Sequence, residues 1–156
     1  MTAWIALTPS NVSNGCMGVV PGTHIGELLP QVETYAEKNV LSRGQEIAVD
    51  VDMGRAVMMQ LAAGEFSLHH VGIVHGSGPN TSDEPRIGLA VRYISPDVVQ
   101  RGRERDMVTL ARGADVYGHF DIVEPPERDY EFGESAVHAE SLARKRRNLM
   151  PAEATN

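Results

Sequence analysis

One cysteine in 156 residues, Cys16, leaves nothing with which to staple a fold, and this excludes the disulfide-framed secreted scaffolds. Such a residue is expected to pack as a small buried apolar group in a reducing compartment. Long hydrophobic runs are missing too. The opening MTAWIALTPS has no basic stretch ahead of its short apolar core, so it reads as neither a signal peptide nor a membrane anchor, and the expected location is cytoplasmic. Positive charge is scarce: 14 Lys plus Arg stand against 21 Asp plus Glu, a net −7 that repels a phosphate backbone and an anionic membrane surface alike. Neither nucleic acid nor a membrane is therefore expected as a partner. Internal repeats and low-complexity tracts are absent, and the length suits a single domain.

What is present reads as short strands. AWIAL (3–7) and CMGVV (16–20) are apolar runs bounded by turn-forming clusters, and EIAVDVDM (46–53) alternates apolar and polar residues as a half-buried strand does. RAVMMQLAAGE (55–65) is compatible with strand or one helical turn. EFSLHH, GIVHGSG and RIGLAVRYI read as three further strands, parted by Gly72 and by the polar turn PNTSDEP. Short strands so punctuated by Gly and Pro predict a mainly β fold, a sandwich or barrel of the jelly-roll kind. Helix is expected only at the end, from Ser135 as N-cap through SAVHAESLARKRRNLM, with Glu140 and Arg144 paired at i, i+4. The basic run Arg144 to Arg147 reads as a solvated helix face.

Three of the six histidines, His69, His70 and His75, fall within seven residues. His75 leads into Gly-Ser-Gly-Pro-Asn, where glycine lets the backbone approach a ligand closely. Arg86 lies at the far side of the turn, and if the flanking strands form an antiparallel hairpin, imidazole and guanidinium line one pocket. That pairing suits a metal that also holds a dicarboxylate, one carboxylate on the metal and the other in arginine's planar fork. Ser77, two residues after His75, adds a hydroxyl on the same face. His69 and His70 point to opposite faces of a strand, so at most one of them faces a pocket, and packing is the favoured role for either.

The blocks WIALTPSNVSNGCMGVVPGTH and GEFSLHHVGIVHGSGPNTSDEPRIGLAVRY closely resemble the phytanoyl-CoA dioxygenase family, from about Thr2 through at least Tyr93. RGADVYGHFDIVEPP also resembles that family's C-terminal stretch. The resemblance implies a double-stranded β-helix (jelly roll, cupin-like) and dependence on iron(II) and 2-oxoglutarate. It also implies a small-molecule substrate, hydroxylated as 2-oxoglutarate is decarboxylated to succinate. Carried over residue by residue, it makes His75 an iron ligand and Arg86 and Ser77 the 2-oxoglutarate-binding pair, with Trp4 and His24 near the pocket. The expected organisation is 1–132 as the C-terminal part of the jelly-roll domain and 133–156 as a helix and tail.

The resemblance also shows what this sequence lacks. A facial triad needs two histidines and a carboxylate, and the family takes two of these ligands from an H-x-D pair ahead of the strand that carries Trp4. The sequence is therefore expected to be an N-terminally truncated form, with its opening strand an unprotected edge and its core half covered. The missing segment would also decide between hydroxylation and halide transfer. His119-Phe120-Asp121 has the H-x-D pattern but follows His75, and reads as a decoy. Two other readings stay open: a non-catalytic jelly-roll module binding a small carboxylate through Arg86, and a cupin-type metal site using His69 or His70, His75 and Glu65.

Overall fold

A computed structural model describes residues 1–34, 44–125 and 132–149. The chain divides into two compact units, Met1–Tyr93 and Ile94–Asn156. Among the described residues of the first, eight strands follow one another: β1 (Thr2–Ala6), β2 (Met17–Val19), β3 (Gln31–Glu33), β4 (Gln45–Ile47), β5 (Val57–Met58), β6 (Phe66–His69), β7 (His75–Ser77) and β8 (Gly88–Arg92). They form two three-stranded sheets, ordered β6-β1-β8 and β5-β2-β7, and a β3-β4 hairpin, all antiparallel. In the second unit β9 (Met107–Val108) and β10 (Asp121–Ile122) pair in parallel, and α1 runs over Phe132–Leu149. The expected mainly β architecture with one C-terminal helix is what the chain adopts.

Four expectations are corrected. The opening strand is no edge: β1 is the centre of its sheet, with Trp4 opposite Ser67 on one side and Ala90 on the other. Its partners lie far along the chain, so no local pattern announces them. The hairpin expected around PNTSDEP does not form, because β7 pairs with β2 while β8 pairs with β1 in the other sheet. The alternation in EIAVDVDM yields a strand only at its start. Bends follow, then a 3-10 turn at Met53–Arg55, where the Asp52 carboxylate accepts from Gly54 N at 3.0 Å and so favours a turn over further ladder. Finally, α1 begins at Phe132, about one turn before the serine assigned as its cap.

Cross-strand neighbours share a face, and this sorts the β6-β1-β8 sheet into two surfaces. Trp4, Ser67, His69 and Gly88 lie on one, and Ala3, Ile5, Phe66, Leu68 and Leu89 on the other. The core of the first unit is built from small groups: Ala3, Ala6, Cys16, Val19, Val20 and Val74 are buried. Cys16 is wholly enclosed, as its lone occurrence suggested. Phe66, Leu68 and Leu89, by contrast, are 58%, 57% and 51% exposed and form an open apolar face. Among the described residues no helix is long and apolar enough to cross a membrane.

Candidate functional site

His75 and Ser77 alternate on β7 with Gly76 between them, so both side chains leave the same face, opposite Val19 and Met17 of β2. The Nδ1 atom of His75 lies 2.7 Å from the Ile73 carbonyl. A carbonyl only accepts, so Nδ1 is the nitrogen that donates here, and Nε2 is the ring nitrogen left to face a metal. Across the gap, at the end of β6, His69 brings its ring centroid to 5.4 Å from that of His75. Burial holds the His69 pKa below the ordinary histidine range, and the His75 charge adds to that effect. Its buried Nδ1 finds no partner among the described residues.

His69 is thus the member of the adjacent pair that faces the site, although packing was the favoured reading for it. Strand alternation shows that two neighbours diverge, not which of them turns inward. His70 points the other way. Its Nδ1 accepts from Gly72 N at 3.1 Å, and its ring lies 5.7 Å from that of His24. The contact the structure gives His24 is therefore with His70.

Arg86 completes the cluster without a hairpin. Its Nη2 donates to Ser77 Oγ at 3.3 Å, and its Cζ stands 5.5 Å from the centroid of the Trp4 ring. This is the reach of a cation held over an indole face. Two residues on, Gly88 leaves room for that indole, since a Cβ there would fall 2.2 Å from the ring. The loop between Ser77 and Arg86 is braced at several points. Asn80 accepts from Ser82 N and donates to the Glu84 carbonyl, both at 2.8 Å, and Thr81 N donates to the Ser13 carbonyl at 2.9 Å. Beneath it, burial pushes the Cys16 thiol up, while the Arg86 charge acts in the opposite direction. Beside His75 a cleft of about 280 Å³ opens toward Val49, Asp50 and Met53.

The other candidate ligands are engaged elsewhere. In the second unit Asp121 pairs with Arg144 and with Arg105, and the Arg144 hydrogen bond holds its carboxyl below the usual range. His119 stacks on Tyr117 at 5.9 Å. This pattern of bonds fits the decoy reading of His119-Phe120-Asp121. The basic run is also less solvated than expected, because Arg144 and Arg147 both bond Glu140 and Arg147 bonds Glu104 as well. Glu65 accepts from Ala62 N at 2.7 Å, and among the described residues no three His, Cys, Asp or Glu side chains are grouped to hold a metal. The cupin-type set is not assembled there.

One end of a dicarboxylate fits a guanidinium and a hydroxyl held 3.3 Å apart above an indole, because these offer converging donors and, among the described residues, no carboxylate is bonded to Arg86. Iron fits incompletely. His75, its Nδ1 bonded to the Ile73 carbonyl, presents one ring nitrogen, Nε2, but a triad is not completed among the described residues.

Comparison with known proteins bears on the same residues. The family model for phytanoyl-CoA dioxygenase (PhyH) matches residues 1–88. A probable phytanoyl-CoA dioxygenase of Caenorhabditis elegans is 31% identical over 97 residues, which make up 62% of this chain and 31% of that protein. The chain thus spans about a third of the length of this curated relative. Among solved structures, the non-heme monooxygenase ThoJ in its apo form superposes with a TM-score of 0.76 at 33% identity, covering 94% of this chain and 52% of ThoJ. EvdO2 from Micromonospora carbonacea, solved with 2-oxoglutarate, gives a TM-score of 0.50 at 32% identity over 57% of this chain and 35% of its own.

Proposed function

The chain belongs to the phytanoyl-CoA dioxygenase family, and from that premise we propose that it carries the 2-oxoglutarate-binding part of an iron(II)- and 2-oxoglutarate-dependent dioxygenase acting on a small organic substrate. The observation that carries the reading is Arg86, hydrogen-bonded to Ser77 and stacked over Trp4 on the face that also presents His75. In this reading residues 1–132 are the C-terminal part of the jelly-roll domain and 133–156 a helix and tail. His75 is one iron ligand, and the other two come from an H-x-D pair outside these 156 residues.

Bound iron and 2-oxoglutarate would supply oxidative decarboxylation to succinate coupled to substrate hydroxylation. The residues of this chain bind and orient. Arg86 and Ser77 hold the far carboxylate, and the Trp4 face confines the guanidinium to one side. His75, oriented by the Ile73 carbonyl, offers Nε2 in a fixed direction. The cleft beside His75 leaves space for a substrate of modest size.

Trp4 is the only tryptophan, so intrinsic fluorescence reports this site directly. Titrating the metal-free chain with 2-oxoglutarate is expected to give a saturable change in emission. Arg86→Ala should raise the midpoint by roughly tenfold or more, the effect of losing a charge-assisted hydrogen bond. No saturable response, or an unmoved midpoint in Arg86→Ala, refutes the reading.

A second reading, a non-catalytic module that binds a small carboxylate, is favoured by the absence of a three-ligand group among the described residues. The two separate on metal dependence. Measured in a protein that also carries the H-x-D segment, 2-oxoglutarate affinity in the module is the same with and without Fe(II) and indifferent to His75→Ala; in the dioxygenase, Fe(II) tightens binding and His75→Ala removes that gain.

A further inference from the structure

Arg86 is held in place from an unexpected quarter. Thr8, two residues beyond the end of β1, sends its hydroxyl to the backbone on both sides of this arginine. Oγ1 donates to the Pro85 carbonyl at 2.8 Å and accepts from Ile87 N at 2.9 Å. A hydroxyl can do both at once, one donor and one acceptor on a single atom. Two main-chain bonds reinforce the arrangement: Leu7 N and Thr8 N both donate to the Ile87 carbonyl, at 2.9 and 3.2 Å. Pro85 has no N–H of its own, so its carbonyl is the only main-chain hydrogen-bonding group it offers, and Thr8 takes it.

The register of β1 gives this clamp its meaning. The strand carries Trp4 on the face under the Arg86 guanidinium and ends with Ala6 opposite Gly88. One short segment, residues 4 to 8, therefore supplies both the aromatic surface beneath the arginine head and the hydroxyl that fixes its backbone. The loop behind Arg86 is otherwise tied to a different segment, through Thr81 and Ser13. Without the Thr8 hydroxyl, Glu84 keeps its bond to Asn80 and the Ile87 carbonyl its bonds to Leu7 N and Thr8 N, but the Pro85 carbonyl and Ile87 N, the two groups that flank Arg86, lose their partner.

We propose that Thr8 is a positioning residue for the carboxylate site: by bridging Pro85 and Ile87 it fixes the backbone of Arg86, so that the guanidinium stays above Trp4 and within reach of Ser77 before a dicarboxylate arrives. The proposal rests on the reading of Arg86 as the carboxylate-binding arginine. Preorganisation of this kind acts on affinity by removing the ordering cost from the binding step.

Three variants of the whole chain test it. Thr8→Val keeps the shape of the side chain and loses both bonds, Thr8→Ser keeps both bonds, and Thr8→Ala serves as the bond-free variant if the valine form does not fold by circular dichroism. With 2-oxoglutarate as probe and Trp4 emission as readout, the bond-free variant should bind roughly tenfold more weakly. Thr8→Ser should stay within about twofold of the parent chain. Amide exchange at Ile87 should quicken in the bond-free variant and not in Thr8→Ser. Unchanged affinity in a folded bond-free variant overturns the proposal, whether or not Ile87 exchange quickens. An equal loss in Thr8→Ser overturns it as well, because the bonds would then not be the cause. If the parent chain itself fails to respond to 2-oxoglutarate, it is the reading of Arg86 that falls, and this one with it.

Discussion

Gly15 has a backbone φ of +77°, and a Cβ there would sit 2.6 Å from the Gly78 carbonyl oxygen. Two separate demands therefore meet at one residue: a left-handed conformation that side chains rarely adopt, and a backbone approach that leaves no room for a methyl group. Gly22 has the first demand alone, with φ at +87° and open space around it. Gly15→Ala is accordingly expected to cost about 2–4 kcal/mol and Gly22→Ala about 1 kcal/mol, read as a difference in urea midpoints. Because Gly78 follows Ser77 directly, Gly15→Ala should also weaken 2-oxoglutarate binding, whereas Gly22→Ala should not. Such a pair also marks what a residue discloses in sequence. Arg86, Ser77 and His75 could be picked out because their side chains carry the chemistry and the surrounding blocks resemble a known family. Thr8 could not, since its partners are backbone atoms of Pro85 and Ile87 and any two residues there would present the same groups.

The helix α1 is fastened to its own unit by charge and by one amide. The Asn148 Oδ1 accepts from Arg103 N at 2.8 Å and Glu104 N at 3.0 Å, while its Nδ2 donates to the Glu104 carbonyl at 2.9 Å. Around it Arg144 bonds Asp121 and Glu140, and Arg147 bonds Glu104. These hydrogen bonds to arginine hold the Asp121, Glu140 and Glu104 carboxyls below their ordinary pKa values. The sign follows. Each group binds its proton less readily in the folded state, so its contribution is fully present above the unfolded carboxylate range, roughly pH 4–5, and is lost as pH falls through the lowered folded value. Helix ellipticity at 222 nm should hold from neutral pH down to that range and fall below it. The fall should begin at higher pH in 1 M salt, where exposed pairs are screened. A helix signal flat through the acid range would show that the ion pairs do not hold α1. The helix itself was legible from composition and from the i, i+4 pair; its tethering to Glu104 and Asp121 was not, because those partners lie more than 20 residues away along the chain.

At the scale of the chain, the strands could be read from local pattern but their partners could not. Short apolar runs and the turn residues between them placed β1, β2, β6 and β8 to within a residue or two, whereas the hairpin inferred from the proximity of β7 and β8 does not exist. The two strands diverge into separate sheets, and the arginine nevertheless reaches Ser77 because the loop between them crosses from one sheet to the other. A topology assembled from distant pairings implies a folding rate toward the slow end, on the order of milliseconds to seconds, measurable by stopped-flow refolding of the chain. Microsecond relaxation would contradict the assigned ladder. The central place of β1 carries a further implication for the order of events. It precedes both its neighbours, and the farther one, β8, closes only at Arg92. While a chain is being synthesised, β1 must wait for β6 to emerge before one edge is satisfied, and for almost the whole first unit before both are. Until β6 emerges it is a strand with both hydrogen-bonding edges open, and until β8 emerges one with a single open edge, the kind of segment on which a holding chaperone acts.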